Sequence, residues 1–355
     1  MLHASDRAYP NAPGAGSDDG PANLVFLCGV ASGGTDIFQN VLNGHPEIFI
    51  PGEFPFLFSA AEKFGADVAP AELPELIETL RGLDVYNNFV HHHYRNFMAD
   101  RQDPVELGPP PGPGPDGRIT VSAVFQWLIG VPPGIVWSGN KTPTNSENID
   151  KLRRLFPNAR YILIVRDGRD VALSWRRKWG KDELLAADKW RRRLARAREL
   201  TRDLGDDRLL VVSFEKLLDD LEGTCRKMCD FLGLELSPEM LRFHEHVHKQ
   251  IDGKPNWGKP LVAGNYGKWR DLPQRKVRRI EEVAHDGLRD WGYEIAYARR
   301  SRPLTRVEQL RALVRDIYAL VFVGNRFQQD ERLRERLKQI ALDVNKVLFH
   351  RSIRH

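Results

Sequence analysis

Three runs dominated by apolar residues lie at positions 24–28, 160–165 and 208–214 of the chain. Each run is short, and each is followed by a segment whose apolar positions recur every three or four residues. This alternation is typical of buried parallel strands separated by amphipathic helices. We therefore predict an α/β protein with a P-loop-like parallel sheet flanked by helices on both faces, and a further strand at 135–137 that breaks at Gly139.

The two ends of the chain differ from this central pattern. Residues 1–22 lack an apolar core and predict a disordered leader instead of a signal peptide. Residues 299–355 are rich in Arg and Leu and lack strand signals, which predicts a C-terminal helical extension. We expect the α/β domain to span residues 23–298, and the apolar face of the extension offers a surface through which two subunits could pair as a homodimer.

Composition narrows the class of protein. The 355 residues are 41% hydrophobic and 28% charged, which is ordinary for a soluble globular protein. The net charge of +5 suits a polyanionic ligand without requiring nucleic acid, and we expect no nucleic-acid partner. The three cysteines favour a reducing compartment, and no apolar run is long enough to cross a membrane. The predicted location is cytoplasmic.

The first apolar run leads into a glycine-rich turn, GVASGGT, at residues 29–35. A strand, a glycine loop and a helix in this order direct main-chain N–H groups and a helix N-terminus at an anion. Gly29 and Gly34 have the spacing of the P-loop G-x-x-x-x-G-K-[ST], and Thr35 follows directly, but the lysine is absent. From this stretch alone, an ordinary tight turn and a phosphate loop that needs no lysine both remain open.

Polar residues follow two other predicted strands. One group is NKTP at residues 140–143, and the other is RDGRD at 166–170, with Ser174 on the helix that comes next. Ligands of open parallel sheets bind beyond the carboxyl ends of the strands. Arg166 and Ser174 can donate to a single phosphate, because the guanidinium offers a fork of donors and the hydroxyl offers another.

The stretch FPNARYILIVRDGRDVALSW resembles the 3′-phosphate-binding segment of sulfotransferases that use 3′-phosphoadenosine-5′-phosphosulfate. Arg166 and Ser174 match the Arg and the Ser of that segment. The glycine loop resembles the family's 5′-phosphosulfate loop, Arg/Lys-Ser-Gly-Thr-Thr, while NGHPEIFIPGE and GNYGKWRDL resemble two later motifs. The likeness covers roughly residues 23–296 and is closer to the tyrosylprotein and bacterial carbohydrate branches than to the cytosolic phenol and steroid branch.

This resemblance implies an enzyme that transfers a sulfuryl group from that donor to a hydroxyl acceptor, on a carbohydrate or a small metabolite. Glu53 matches the acidic general base of the similar branches, and Lys141 matches a lysine that stabilises the leaving group. The chemistry needs no metal, and consecutive histidines at 91–93 point in different directions, so no metal site is expected. The residues that the resemblance assigns to the donor are Ser32, Gly33, Gly34, Thr35, Arg166, Ser174 and Lys268.

One position departs from the family pattern, because Ala31 stands where the family carries Lys or Arg. Three explanations are open. Lys141 or Lys259 supplies the missing cation, the loop serves a different donor, or the protein is a weak or inactive enzyme. Two other classes also stay open: a non-catalytic or repurposed nucleotide-binding protein, and a P-loop-related kinase, against which the absent lysine argues.

Overall fold

The computed structural model describes residues 23–54, 56–81, 108–132, 134–246 and 260–318. The predicted leader at 1–22, the histidines at 91–93 and Lys259 lie outside these residues. The chain forms two compact units. The sheet unit contains the described residues of 23–165 and 196–264, and the helical unit contains residues 166–195 and the described residues from 265 onward.

Five parallel strands form the sheet of the sheet unit. In chain order the strands of the protein are β1 (Asn23–Cys28), β2 (Ile48–Phe49), β3 (Asp67–Val68), β4 (Ile119–Thr120), β5 (Trp137–Lys141), β6 (Arg160–Val165) and β7 (Leu209–Ser213). The spatial order of the parallel sheet is β2-β5-β1-β6-β7, and β3 and β4 form a separate antiparallel pair. The glycine loop therefore leaves the central strand of the sheet, which β5 and β6 flank.

Helices follow the strands as the alternating pattern predicts. They are α1 (Thr35–Asn43), α2 (Leu57–Phe64), α3 (Leu73–Arg81), α4 (Val121–Ile129), α5 (Ile149–Leu155), α6 (Gly168–Trp179), α7 (Glu183–Leu200), α8 (Phe214–Asp219), α9 (Leu221–Leu232), α10 (Pro238–Leu241), α11 (Gln274–Asp290) and α12 (Arg306–Tyr318). Short 3-10 helices occur at Pro70–Glu72, Pro143–Glu147, Phe243–His246 and Lys268–Asp271. The predicted parallel sheet with flanking helices and a helical C-terminal region is confirmed.

An aromatic cluster fills the core of the sheet unit. The ring of Phe26 on β1 lies 5.0 Å from Phe156 and 6.0 Å from Tyr161, measured between ring centroids. Phe125 of α4 contacts the same cluster, at 5.5 Å from Phe156. Aromatic pairs at these separations add to the burial of apolar area. The packing makes β1 a rigid support for the loop that follows it.

The predicted extent of β5 was wrong. The sequence pattern placed a strand at 135–137 and a break at Gly139, whereas the strand runs over Trp137–Lys141. A Cβ at Gly139 would lie 1.8 Å from the carbonyl oxygen of Val25, so the glycine permits the close approach of β1 instead of ending the strand. Lys141 is consequently the last residue of a buried strand and not a loop residue.

The helical C-terminal region is described as far as α12. Three of its apolar side chains are exposed, at 58% for Val307, 39% for Leu310 and 57% for Val314. The boundary at residues 298/299 and the pairing of subunits through this region stay predictions. Within the described ranges, no helix combines the length and the apolar character needed to cross a bilayer.

Candidate active site

The loop between β1 and α1 has a backbone suited to an anion. Ser32 and Gly34 adopt positive φ angles of 62° and 98°, and the N–H of Gly33 between them donates to Val30 O at 2.8 Å. Across the described residues, Ser32 alone combines a positive φ with a side chain. Main-chain N–H groups in such turns form anion-binding concavities, and residues held in this conformation concentrate at functional sites. The N-terminus of α1 adds partial positive charge at Thr35.

Residues that follow β5 hold the end of β1 and the start of this loop. Ser146 Oγ donates to Gly29 O at 2.7 Å, and Asn145 Nδ2 donates to Leu27 O at 2.9 Å. The same amide donates to Asn140 Oδ1 at 2.7 Å. Asn145 and Ser146 were not predicted from the sequence, because hydrogen bonds from a side chain to a distant backbone carbonyl leave no periodic signal.

Gly34 provides a direct test of the loop conformation. A Cβ at this position would lie 2.3 Å from Cδ2 of Phe214, and its φ of 98° is unfavourable for any other residue. Gly34→Ala is expected to lower the free energy of unfolding by about 1–3 kcal/mol more than Gly117→Ala. Gly117 is the matched control, because its φ is 74° but no atom lies within 4 Å of its Cβ position. Equal losses in urea titrations of the two variants would contradict the described contact with Phe214.

A buried lysine lies between two carboxylates close to the loop. The Lys141 side chain is 0% exposed, and its Nζ lies 2.7 Å from Asp36 Oδ1 and 2.6 Å from Glu53 Oε1. Asp36 is in the first turn of α1, and Lys141 pairs in register with Leu27 of β1. The structure thus brings together the two predicted catalytic residues and places both beside the loop–helix junction. Asp36 is a functional candidate that the sequence analysis missed.

The charge state of this cluster follows from its surroundings. Burial alone would lower the pKa of Lys141, but Asp36 and Glu53 outweigh burial and hold the pKa above its usual range. Lys141 is therefore an ammonium at neutral pH. With both carboxylates ionised, two negative groups surround one positive group, which leaves the cluster with one net negative charge.

Hydrogen bonds made by its two chain neighbours position Glu53 beside β5. The N–H of Lys141 donates to Gly52 O at 2.9 Å, and the N–H of Phe54 donates to Thr142 Oγ1 at 2.9 Å. Both neighbours of Glu53 are thereby tied to the end of the strand. The carboxylate of Glu53 is still 30% exposed, so a substrate can reach it from solvent.

The helical unit carries the predicted phosphate clamp. Arg166 follows β6 directly, and its carbonyl accepts a hydrogen bond from Trp190 Nε1 at 3.0 Å. Gly168, at the start of α6, permits the approach of the Trp190 ring, since a Cβ there would lie 2.5 Å from it. Ser174, two turns along α6, is 4% exposed. The glycine of the RDGRD motif is thus explained by packing.

Asp170 anchors the turn that carries Lys268. Its carboxylate accepts from the N–H of Gly267 at 2.5 Å and from the N–H of Trp269 at 3.3 Å. The Trp269 ring is buried against Arg169, whose guanidinium carbon lies 3.6 Å from the ring centroid. Lys268 lies between the two anchored residues and is exposed. The position of this turn near the donor stays a prediction.

Arg169 is the centre of a buried ion network in the helical unit. Its guanidinium donates to Asp167 and, through Nη1, to Glu281 Oε1 at 2.6 Å. Glu281 is 0% exposed and also accepts from the main-chain N–H groups of residues 296–298. The network ties α6, α11 and the segment after α11 together and so fixes the start of α6, which Arg166 precedes by two residues.

Neutralising Glu281 is expected to destabilise the protein by about 1.5–3 kcal/mol, the usual contribution of a hydrogen bond to a charged group. Glu281→Gln removes the negative charge that faces Arg169. It also places an amide NH₂, itself a donor, among the N–H groups from which the carboxylate accepts. Glu282→Gln is the control on the same helix, because Glu282 is 20% exposed and pairs with Arg279 near the surface. Denaturant titration should show a loss for Glu281→Gln and little change for Glu282→Gln; comparable effects would contradict the network.

No group of three or more His, Cys, Asp or Glu side chains is placed to hold a metal ion in the part of the chain that the structure describes.

The predicted site residues fall into two sets, one in each compact unit. The loop residues, Glu53 and Lys141 lie in the sheet unit, and Arg166, Ser174 and Lys268 lie in the helical unit.

Comparison with known proteins identifies relatives. Protein-tyrosine sulfotransferase of Drosophila melanogaster is 30% identical over 164 residues, which cover 41% of this chain and 32% of the fly protein. Protein-tyrosine sulfotransferase A of Caenorhabditis elegans is 27% identical over 298 residues, which cover 78% of this chain and 70% of the nematode protein. The sulfotransferase domain of the Synechococcus PCC 7002 olefin synthase has a TM-score of 0.48 and 20% identity, covering 83% of this chain and 100% of that domain.

These relatives correct one prediction and identify the family. The animal proteins are of the tyrosylprotein branch and not of the cytosolic phenol and steroid branch, so the predicted cytoplasmic location is wrong. A profile described as "Sulfotransferase family" matches residues 24–238, more than half of the chain. The match contains the glycine loop, Glu53, Lys141, Arg166 and Ser174. The chain belongs to the sulfotransferase family of enzymes.

Proposed function

We propose that this protein transfers a sulfuryl group from 3′-phosphoadenosine-5′-phosphosulfate to a hydroxyl acceptor. The observation that carries the proposal is the position of the Lys141 ammonium. It lies 2.7 Å from Asp36, at the N-terminus of α1, and 2.6 Å from Glu53. A cation, a candidate base and a loop of main-chain donors thus meet in the sheet unit, and the family resemblance assigns this combination to sulfuryl transfer.

The donor is proposed to bind through both of its phosphate-bearing ends. The 5′-phosphosulfate accepts from main-chain N–H groups and hydroxyls of the loop, and the 3′-phosphate accepts from Arg166 and Ser174. The positive φ angles of Ser32 and Gly34 support the first assignment, since they are the backbone conformation of an anion cradle. Lys268 is proposed to lie near a phosphate. The loop residues assigned to the donor are Ser32, Gly33, Gly34 and Thr35.

In the proposed reaction, the acceptor oxygen forms a bond to sulfur while the bond from sulfur to the 5′-phosphate oxygen breaks. The carboxylate of Glu53 takes the proton of the acceptor hydroxyl. The ammonium of Lys141 stabilises the negative charge that grows on the departing phosphate oxygen. Adenosine 3′,5′-bisphosphate and the sulfated acceptor leave, and Glu53 returns its proton to solvent.

The net charge of the cluster formed by Asp36, Glu53 and Lys141 changes during the proposed reaction. In the resting protein the two carboxylates and the ammonium sum to one negative charge, which does not favour a second anion nearby. When Glu53 accepts the proton, the cluster becomes neutral. Of the two carboxylates, only Asp36 then still forms an ion pair with Lys141. Lys141 therefore interacts more strongly with the leaving oxygen in the transition state than in the ground state, which is the condition for catalysis.

The same geometry supports one explanation for Ala31. The cation that the family places on the loop is absent, and the buried Lys141 supplies a charge from the neighbouring strand β5. We therefore favour a functional donor site over an inactive loop, and we retain residues 23–298 as the sulfotransferase domain.

The acceptor hydroxyl is proposed to belong to a carbohydrate or a small metabolite, as the sequence resemblance implies. The names of the animal relatives support a second candidate, a tyrosine hydroxyl in a protein. Incubation with sulfur-labelled donor and parallel panels of sugars, phenols and tyrosine peptides separates the two.

Label transfer in the presence of a chelator tests the reaction itself. The proposal expects label in at least one acceptor without Mg²⁺. A P-loop kinase would instead transfer phosphate from Mg-ATP, and a binding protein would label no acceptor. Either result would replace the proposal.

A further inference from the structure

We infer that Asp36 is a positioning residue, which together with Glu53 fixes the Lys141 ammonium at the N-terminus of α1 and so supplies the loop with the cation that Ala31 lacks. This inference rests on the proposed function and adds a residue to it. The carboxylate of Asp36 lies 2.7 Å from Lys141 Nζ, and its backbone is in the first turn of α1, directly after Thr35.

The lysine needs such a partner because it is fully buried. A buried ammonium is costly unless charged or polar partners compensate it. An ammonium has three N–H donors; Asp36 and Glu53 accept two of them. Asp36 and Glu53 thus hold the ammonium in place.

Asp36 and Glu53 cannot have the same role during turnover. In the proposed reaction, Glu53 becomes neutral when it takes the acceptor proton, and its attraction for Lys141 then falls. Asp36 takes no proton in the proposed reaction, and its place in the first turn of α1 suits an anion. Asp36 therefore holds the ammonium at the loop at the moment when charge grows on the leaving oxygen.

The position of Asp36 also explains why a lysine on β5 can replace one on the loop. Asp36 joins the end of β5 to the residue that follows Thr35, so the ammonium is tied to the loop–helix junction and not to the loop itself. A cation restored on the loop should consequently make the Asp36 contact less important. That expectation is specific to this role and would not arise if Asp36 only stabilised the fold.

The test compares four variants in steady-state sulfuryl transfer: Asp36→Asn, Asp36→Glu, Ala31→Lys and the double variant Asp36→Asn/Ala31→Lys. Asp36→Asn should lower kcat about 10–100-fold, the usual cost of a misplaced catalytic group, with a smaller change in the KM for donor. Asp36→Glu should recover part of the loss. Ala31→Lys should raise kcat by a larger factor in the Asp36→Asn background than in the wild type.

Asp150→Asn is the matched control. Asp150 is a first-turn acid of α5, so it shares the helix position of Asp36, and it should leave kcat unchanged. The inference is overturned if Asp36→Asn keeps the wild-type kcat, or if Ala31→Lys has the same effect in both backgrounds.

A measurement without turnover separates this inference from the proposed function. In ¹⁵N-lysine NMR spectra, the Lys141 ammonium should give a signal protected from solvent exchange in the wild type and lost in Asp36→Asn, with Lys141→Arg identifying the signal. If the wild-type protein labels no acceptor, the proposed function fails, and this signal decides the role of Asp36. Identical signals in wild type and Asp36→Asn would reject it.

Discussion

Replacing Glu53 with glutamine is expected to lower kcat by about 10²–10⁴-fold, which is the usual contribution of a general base. The amide keeps the size of the side chain but cannot accept the acceptor's proton. Binding of adenosine 3′,5′-bisphosphate should be retained, because Glu53 is proposed to act on the acceptor and not on the nucleotide. Steady-state rates with labelled donor and calorimetry with the bisphosphate measure the two effects separately.

The control for this variant is Glu62→Gln. Glu62 is also paired with a lysine, Lys151, but on the surface of the sheet unit, and its loss should leave kcat unchanged. Equal turnover by Glu53→Gln and wild type would remove Glu53 from the mechanism. In that case the 2.6 Å contact with Lys141 would have only a structural role.

Replacing Arg166 with alanine is expected to weaken binding of adenosine 3′,5′-bisphosphate by about 10²-fold. A hydrogen bond between charged groups contributes about 1.5–3 kcal/mol, and about 1.4 kcal/mol corresponds to a factor of ten in affinity. The loss should be specific to the 3′-phosphate. Adenosine 5′-monophosphate, which lacks that group, should bind wild type and variant alike.

Arg176→Ala provides the matched control for Arg166→Ala. Arg176 is on α6, 54% exposed, and pairs with Glu183, so its removal changes the net charge equally without touching the proposed clamp. If both variants lose the same affinity, the effect is one of overall charge and the assignment of Arg166 to the 3′-phosphate is wrong.

The sequence predicted those parts of the fold whose signal is local. The run at 160–165 coincides with β6, and the strand–loop–helix order at 24–43 coincides with β1 and α1, because buried parallel strands and amphipathic helices have distinct periodicities. The end of β5 was predicted wrongly at Gly139, because this glycine permits a close approach to Val25 in the neighbouring strand and does not end β5. Such a requirement arises only in the assembled sheet.

The same distinction applies to the candidate site. Glu53 and Lys141 were predicted from motifs, yet nothing in the sequence indicated that they contact each other or that Asp36 completes the cluster. The three residues come from a loop, a strand and a helix separated by up to 105 positions along the chain. The buried network of Arg169 and Glu281 was missed for a similar reason, since its partners are 112 residues apart.

The central claim is that this chain binds a nucleotide by a 3′-phosphate as well as by its 5′ end. Calorimetric titration of the wild-type protein with adenosine 3′,5′-bisphosphate and with adenosine 5′-monophosphate, both in the presence of a chelator, tests it most directly. We predict Mg²⁺-independent binding of the bisphosphate, about 10²-fold tighter than that of the monophosphate. Equal affinities for the two nucleotides, or no binding of the bisphosphate without Mg²⁺, would contradict it.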